Sequence, residues 1–149
     1  MRGLDRLDTT IIEALQANGR ESFRGIAARA GVSEATIRAR YARLVAEDVL
    51  QVVAITNPLA LGFDAEALVG VSTTGDPEHV AEQIAEWPEA SYVVVAAGRY
   101  DLFVELVATD RRHLLELTNR LRALDGVLST ETFPYLLLTK QSYSWGTRV

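Results

Sequence analysis

The sequence predicts an α+β protein in two parts. An N-terminal helix-turn-helix head, winged-helix-like, precedes a C-terminal ferredoxin-like domain ordered strand-helix-strand-strand-helix-strand. Three observations predict it. Residues 19–47 place a left-handed stop, Gly31, between two helix caps, Ser22 and Ser33. From Ala65 the apolar period changes. Beyond that point two strand–helix–strand units follow one another.

Residues 4–19 read as the first helix. Asp5 is its N-cap, Leu4, Leu7, Ile11, Ile12 and Leu15 form its apolar stripe, and Gly19 ends it. Ser22 caps the second helix, on which Phe23, Ile26, Ala27 and Ala30 repeat at helical spacing. Ser33 caps the third, with Glu34 on the first turn, where the helix dipole favours a carboxylate. So short a turn forces the second and third helices to cross steeply, which is helix-turn-helix geometry.

The third helix is two-sided. Ile37, Tyr41 and Leu44 share one stripe, and Ala35, Ala39, Ala42 and Arg43 lie opposite, flanked by Thr36 and Arg38. Small residues let a helix approach a surface closely. Arginines at its edges reach phosphates or the O6/N7 edge of guanine. The candidate DNA contacts are Ser33, Ala35, Thr36, Arg38, Ala39, Arg40 and Arg43. Arg40, near the apolar stripe, suits a structural or phosphate role. The plainer alternative is an amphipathic helix with a solvated basic face.

Residues 49–56, rich in Val, Ile and Leu, read as a strand. Asn57-Pro58 and Gly62 then bend the chain. Residues 65–72 read as a strand, and Asp76 and Pro77 start a helix with Val80, Ile84 and Trp87 on its apolar side. Residues 91–97 read as a buried strand, 98–101 as a turn and 102–108 as another strand. Thr109-Asp110 cap a helix carrying Leu114, Leu117, Leu121 and Leu124, and 127–139 read as a long last strand. The division is a head over 1–50, a strand and linker over 51–64, and the ferredoxin-like domain over 65–149. One sheet face takes the two helices. Val93, Val94 and Val95 are apolar on both sides, so the other face is expected to be covered by a second subunit.

Of the 149 residues 48% are hydrophobic, enough for a packed core. With no cysteine there is no disulfide, thiolate metal site or cysteine nucleophile. His79 and His113 stand on separate helices, and no phosphate loop, serine-nucleophile motif or histidine–glutamate metal motif occurs. No metal, cofactor or catalytic residue is expected. No run resembles a signal peptide or reaches bilayer length, so a soluble cytoplasmic protein without a membrane partner is expected. The net charge of −5 is unevenly divided. Residues 1–50 hold eight arginines against seven acids, and the remainder holds seven basic residues against 13 acids. The near-neutral head gives little long-range steering, so affinity for DNA is expected to need several heads together.

The segments LDRLDTTIIEALQANGR, GIAARAGVSEATIRARYARL, ITNPLALGF, and GRYDLFVELVA followed by GVLSTETF occur in that order. Together they resemble the Lrp/AsnC, or feast/famine, family of prokaryotic transcription regulators over nearly the whole chain. Glu47-Asp48 depart from the small or glycine-containing pair usual there, and Glu21 stands where an apolar residue is common. The resemblance implies a regulator of double-stranded DNA. It implies a homodimer joined sheet to sheet, with octamers built from dimers. It also implies a small effector, usually an amino acid, at interfaces between the C-terminal domains, so that 65–149 serves effector binding and oligomerisation.

The 98–101 turn matches the family's effector-binding loop. Gly98 leaves backbone N–H groups accessible, Tyr100 can wall a pocket, and Asp101 can accept from an ammonium. Thr130 and Thr132 alternate on the last strand, so their hydroxyls share one face. The same turn is also a plain hairpin. Two other functions stay open. One is an architectural DNA-binding protein without an effector. The other is an enzyme, since some relatives of this architecture are haem-precursor decarboxylases.

Overall fold

Three capped helices build the N-terminal part of the computed structural model, which describes residues 3–143 and 145–147. They are α1 (Arg6–Ala17), α2 (Phe23–Ala30) and α3 (Glu34–Ala46). The Asp5 carboxylate accepts from the Leu7 and Asp8 amides, and Asp8 answers by accepting from the Asp5 amide, a reciprocal capping box. Ser22 accepts from the Gly25 amide at 3.0 Å and Ser33 from the Thr36 amide at 3.1 Å. Gly31 closes α2 at a φ of 69°, a conformation that suits glycine and makes the sharp turn into α3. Ile11, Ile26, Ile37 and Leu44 are fully buried between the three helices.

One charged residue joins that interior. Asp8 is only 1% exposed. It accepts from Arg40 at 3.1 Å and from Arg43 at 2.5 Å, and Arg40 also donates to Asp5 at 2.5 Å. The network ties α3 to the start of α1. Burial pushes the Asp8 carboxyl up, but hydrogen bonds from Arg43, the Asp5 amide and Arg40 outweigh it, and the net shift is downward.

The strand expected over 49–56 does not form. Asp48 turns at a φ of 54°, and the Val49 and Leu50 amides fold back onto the Leu44 carbonyl at 2.9 and 3.2 Å. A strand needs a ladder partner. Among the described residues none pairs with this segment, and Val53 and Ile55 are exposed.

The chain divides into two compact units. One runs through Ile55 and resumes at Lys140, and the other is Thr56–Thr139. In the second unit a short 3₁₀ turn, Pro58–Leu61, leads into β1 (Ala65–Thr73), α4 (Pro77–Ala85), β2 (Ala90–Val95), β3 (Leu102–Ala108), α5 (Arg111–Arg122) and β4 (Val127–Pro134). Asp76 and Asp110 cap the two helices as their sequences predict. The sheet is antiparallel in the order β2-β3-β1-β4.

The register decides the faces. Val69 pairs with Val104 and Thr132, so these three point the same way, as do Val71, Leu102 and Thr130. That face packs against Val80, Ile84 and Trp87 of the α4 region and Leu114, Leu117 and Leu121 of α5. The other face carries Leu68, Gly70, Phe103, Val107 and Phe133 together with Glu66 and Glu105. Neither helix covers it. Tyr92 is 55% exposed there and Phe133 41%. Burial, and then the nearby Glu105, raise the Glu66 carboxyl above its usual range. The last strand stops at Pro134 rather than at residue 139. The Tyr135 amide still reaches the Glu66 carbonyl at 2.8 Å, but β1 begins at Ala65 and offers no further partner, and Leu136 is 96% exposed.

Asp8→Asn is expected to lower stability at neutral pH by about 2–4 kcal/mol, because it removes a buried charge paired to two arginines. A carboxyl held below its unfolded value of about 3.9 contributes stability that is present above that pH and lost as pH falls through the folded value. Denaturant unfolding should therefore show wild type and variant converging below about pH 4. A constant difference across the range would rule out the charged pair as the cause.

Candidate functional site

The head presents one uncovered face of α3. Ala35, Arg38, Ala39 and Ala42 are exposed along it. Arg38 bonds Glu34 one turn earlier at 2.8 Å, and its guanidinium lies 5.2 Å from the Phe23 ring. Ser33 and Thr36 are joined hydroxyl to hydroxyl at 2.8 Å at the helix start. Arg40 and Arg43 are drawn off this face towards α1 by Asp5 and Asp8. Arg40, expected in a structural or phosphate role, pairs with α1 carboxylates, and Arg43 does the same instead of pointing outward.

The second unit holds a concave site of about 310 Å³, lined by Ser72, Arg99, Tyr100, Ser129, Thr130 and Glu131. It lies at the end of β1, beside the β2–β3 turn and β4. The ring of Tyr100 rests on Gly70, where a Cβ would meet ring carbons at 2.7 Å. The ring packs edge-on to Phe103 and Phe133, with centroids 5.7 and 6.4 Å away. Its hydroxyl donates to a Glu131 carboxylate oxygen. The Arg99 guanidinium lies over the same ring at 5.8 Å.

The other residues expected here divide. Gly98 is exposed on the turn at a φ of 151°. Thr130 lines the cavity and accepts from Arg122 at 3.0 Å. Asp101 does not line it. Its Oδ2 accepts from the Thr73 amide at 2.7 Å and the Thr73 hydroxyl at 3.3 Å, which binds the turn to the end of β1. The Asp101 amide adds a bond to the Val71 carbonyl at 2.9 Å. Thr132 points to the helix-covered face, where its hydroxyl is buried without a hydrogen-bond partner among the described residues. The structure therefore places Tyr100 and Thr130 at the cavity, with the Thr130 hydroxyl turned to the helix-covered face, and separates Asp101 and Thr132 from it. Ser72, Arg99, Ser129 and Glu131 were missing from the expected set. Alternation along β4 was the available signal for Ser129 and Glu131, which sit opposite Ser72 and Gly70.

Residues 4–45 match the AsnC-type helix-turn-helix domain, and residues 66–145 match the Lrp/AsnC ligand binding domain. The chain belongs to the Lrp/AsnC family. It is a transcription regulator with a helix-turn-helix domain and a ligand-binding domain. An uncharacterised HTH-type transcriptional regulator of Pyrococcus horikoshii is 32% identical over 95% of this chain and 91% of its own. Escherichia coli AsnC superposes with a TM-score of 0.79 at 25% identity, over 95% of this chain and 98% of AsnC. A Neisseria meningitidis transcriptional regulator solved as a complex with L-Met has the same fold at a TM-score of 0.79 and 23% identity, over 94% of each chain. Among the described residues of this Lrp/AsnC chain, no helix is long and apolar enough to cross a membrane, and no three acidic or histidine side chains are grouped to hold a metal.

Asp101→Ala is expected to cost about 1–3 kcal/mol of stability, because the Thr73 amide loses a charged acceptor. Denaturant unfolding checks it, and an unchanged midpoint would mean that Asp101 does not secure the turn.

Proposed function

We propose that this Lrp/AsnC protein binds specific double-stranded DNA through α3, with its affinity set by a free amino acid. The amino acid sits at the 98–101 turn, between C-terminal domains of paired chains. The cavity at that turn carries the reading. It offers a guanidinium, a carboxylate and hydroxyls on one small concave surface, as a zwitterion requires. The L-Met complex of the Neisseria relative supports an amino acid as the class of effector. Gly98, Tyr100 and Thr130 belong to the binding region, and Asp101 holds the turn in place.

At the head, the alanines at 35, 39 and 42 allow close approach to a major groove, and Arg38 is the exposed cation beside them. Ser33 and Thr36 lie at the helix start, where hydroxyls and amides suit phosphate. Arg40 and Arg43 fix the angle of α3. The uncovered sheet face, with Leu68, Phe103 and Phe133, is the surface a second copy covers, giving a homodimer and, from dimers, an octamer. One effector at an interface touches two chains and so biases their assembly. The protein acts in the cytoplasm, where its DNA is, and the reading assigns it no catalysis.

Duplexes selected by the wild-type protein from a random pool provide the test, with binding read by fluorescence anisotropy. Arg38→Ala should weaken the selected duplex by about 1–3 kcal/mol, and unchanged binding would remove the role of α3. At least one of the common amino acids should shift wild-type affinity roughly 5- to 150-fold. If all leave it unchanged, the protein is an effector-independent DNA binder. Sedimentation at micromolar concentration should give a dimer or larger, and a soluble monomer would contradict the sheet-to-sheet pairing.

A further inference from the structure

The cavity beside the turn holds charges of both signs. Arg99 reaches it from the β2–β3 turn and Glu131 from β4. Among the described residues neither side chain is in an ion pair. The hydroxyls of the lining come from Ser72, Ser129 and the Tyr100 phenol, the Thr130 hydroxyl being turned to Arg122, and no aliphatic side chain lines the cavity. Asp101, the carboxylate nearest in sequence, is engaged with Thr73. Resting on the amino-acid reading above, we propose that the effector is an α-amino acid with a small polar side chain, its ammonium held by Glu131 and its carboxylate by Arg99.

Each partner is already oriented for that task. The Tyr100 hydroxyl donates to Glu131 while its ring is seated on Gly70, so the carboxylate is held by the chain itself. A carboxylate has about four acceptor positions, so one phenol bond leaves capacity for an ammonium. The Arg99 guanidinium rests against the same ring, and its planar fork matches a ligand carboxylate in two parallel bonds.

The hydroxyls select the side chain. Serine hydroxyls both donate and accept, so those of Ser72 and Ser129 can pair with a ligand hydroxyl or carboxamide. A branched aliphatic or thioether side chain would strip water from those hydroxyls and return no hydrogen bond. A site built from hydrogen-bonding groups discriminates strongly against ligands that leave them unpaired. Serine, threonine, asparagine and glutamine are therefore favoured over leucine and methionine.

Calorimetry on the full-length protein tests this, with L-serine, L-threonine, L-asparagine, L-glutamine, L-leucine and L-methionine as probes. The tightest binder should be one of the four polar amino acids. Glu131→Gln and Arg99→Gln should each weaken it by about tenfold or more. Its N-acetyl derivative should bind wild type and Glu131→Gln equally weakly, and its α-amide should do the same with wild type and Arg99→Gln. These two comparisons remain decisive if a charge variant also loses stability, because derivatives on wild type alone report which end of the ligand is held. Binding unaffected by either variant, or by either derivative, overturns the clamp while leaving the effector reading standing. Tighter binding of leucine or methionine overturns the side-chain class. If none of the six binds, the assignment falls, and if none of the twenty common amino acids binds wild type, the effector reading falls with it.

Discussion

Gly70 lies in the middle of β1, and the ring of Tyr100 occupies the space where a side chain would be. A Cβ at that position would stand 2.7 Å from the ring carbons, so a larger residue would push the ring away. Much of the ligand-binding unit depends on this contact. The seated ring meets Phe103 of β3 and Phe133 of β4 and places its hydroxyl on Glu131. The turn that carries Tyr100 is bound on its other side by Asp101 to Thr73. Two anchors at neighbouring positions thus hold the β2–β3 turn against β1 and β4. The cavity they frame is held by contacts within the chain, which reduces the ordering cost of binding.

The head follows a different rule, in which charges serve the fold first. Arg40 and Arg43 answer the buried carboxylate of Asp8, and Asp5 shares Arg40. Removing them from the outer face leaves Arg38, whose exposed pair with Glu34 is worth little and exchanges readily for a phosphate or a base. A single head of this kind offers few contacts to DNA. In the proposed function, strong, salt-dependent binding comes from several heads acting together, which ties DNA binding to assembly. In the proposed homodimer, assembly falls to the uncovered face of the sheet, where Leu68, Phe103 and Phe133 flank Glu66 and Glu105.

Local chemistry was well written in the sequence. Asp5, Ser22, Ser33, Asp76 and Asp110 all cap the helices their positions announce, because a cap bonds an amide two or three residues away. Alternation and period also placed the four strands and two helices of the second unit in order. What escaped was set by partners far along the chain. Arg43 meets Asp8 and Asp101 meets Thr73 across 35 and 28 residues, so neither direction was visible from neighbours. Residues 49–56 and 135–139 have strand composition without a strand beside them, and composition alone does not supply a ladder. Glu131 lies on the face of β4 opposite Thr130 and Thr132, so the threonine alternation does not point to it.

In the proposed regulator, ligand and DNA act on one equilibrium. Linkage then requires reciprocity: a ligand that changes DNA affinity by some factor must find its own affinity changed by the same factor when DNA is bound. The most direct measurement is calorimetric titration of the amino acid that binds wild type, first into the free protein and then into the protein saturated with its selected duplex. The account predicts two different dissociation constants, their ratio equal to the ratio of DNA affinities with and without the amino acid. Equal dissociation constants in the two titrations would mean that cavity and head are independent, and would contradict it.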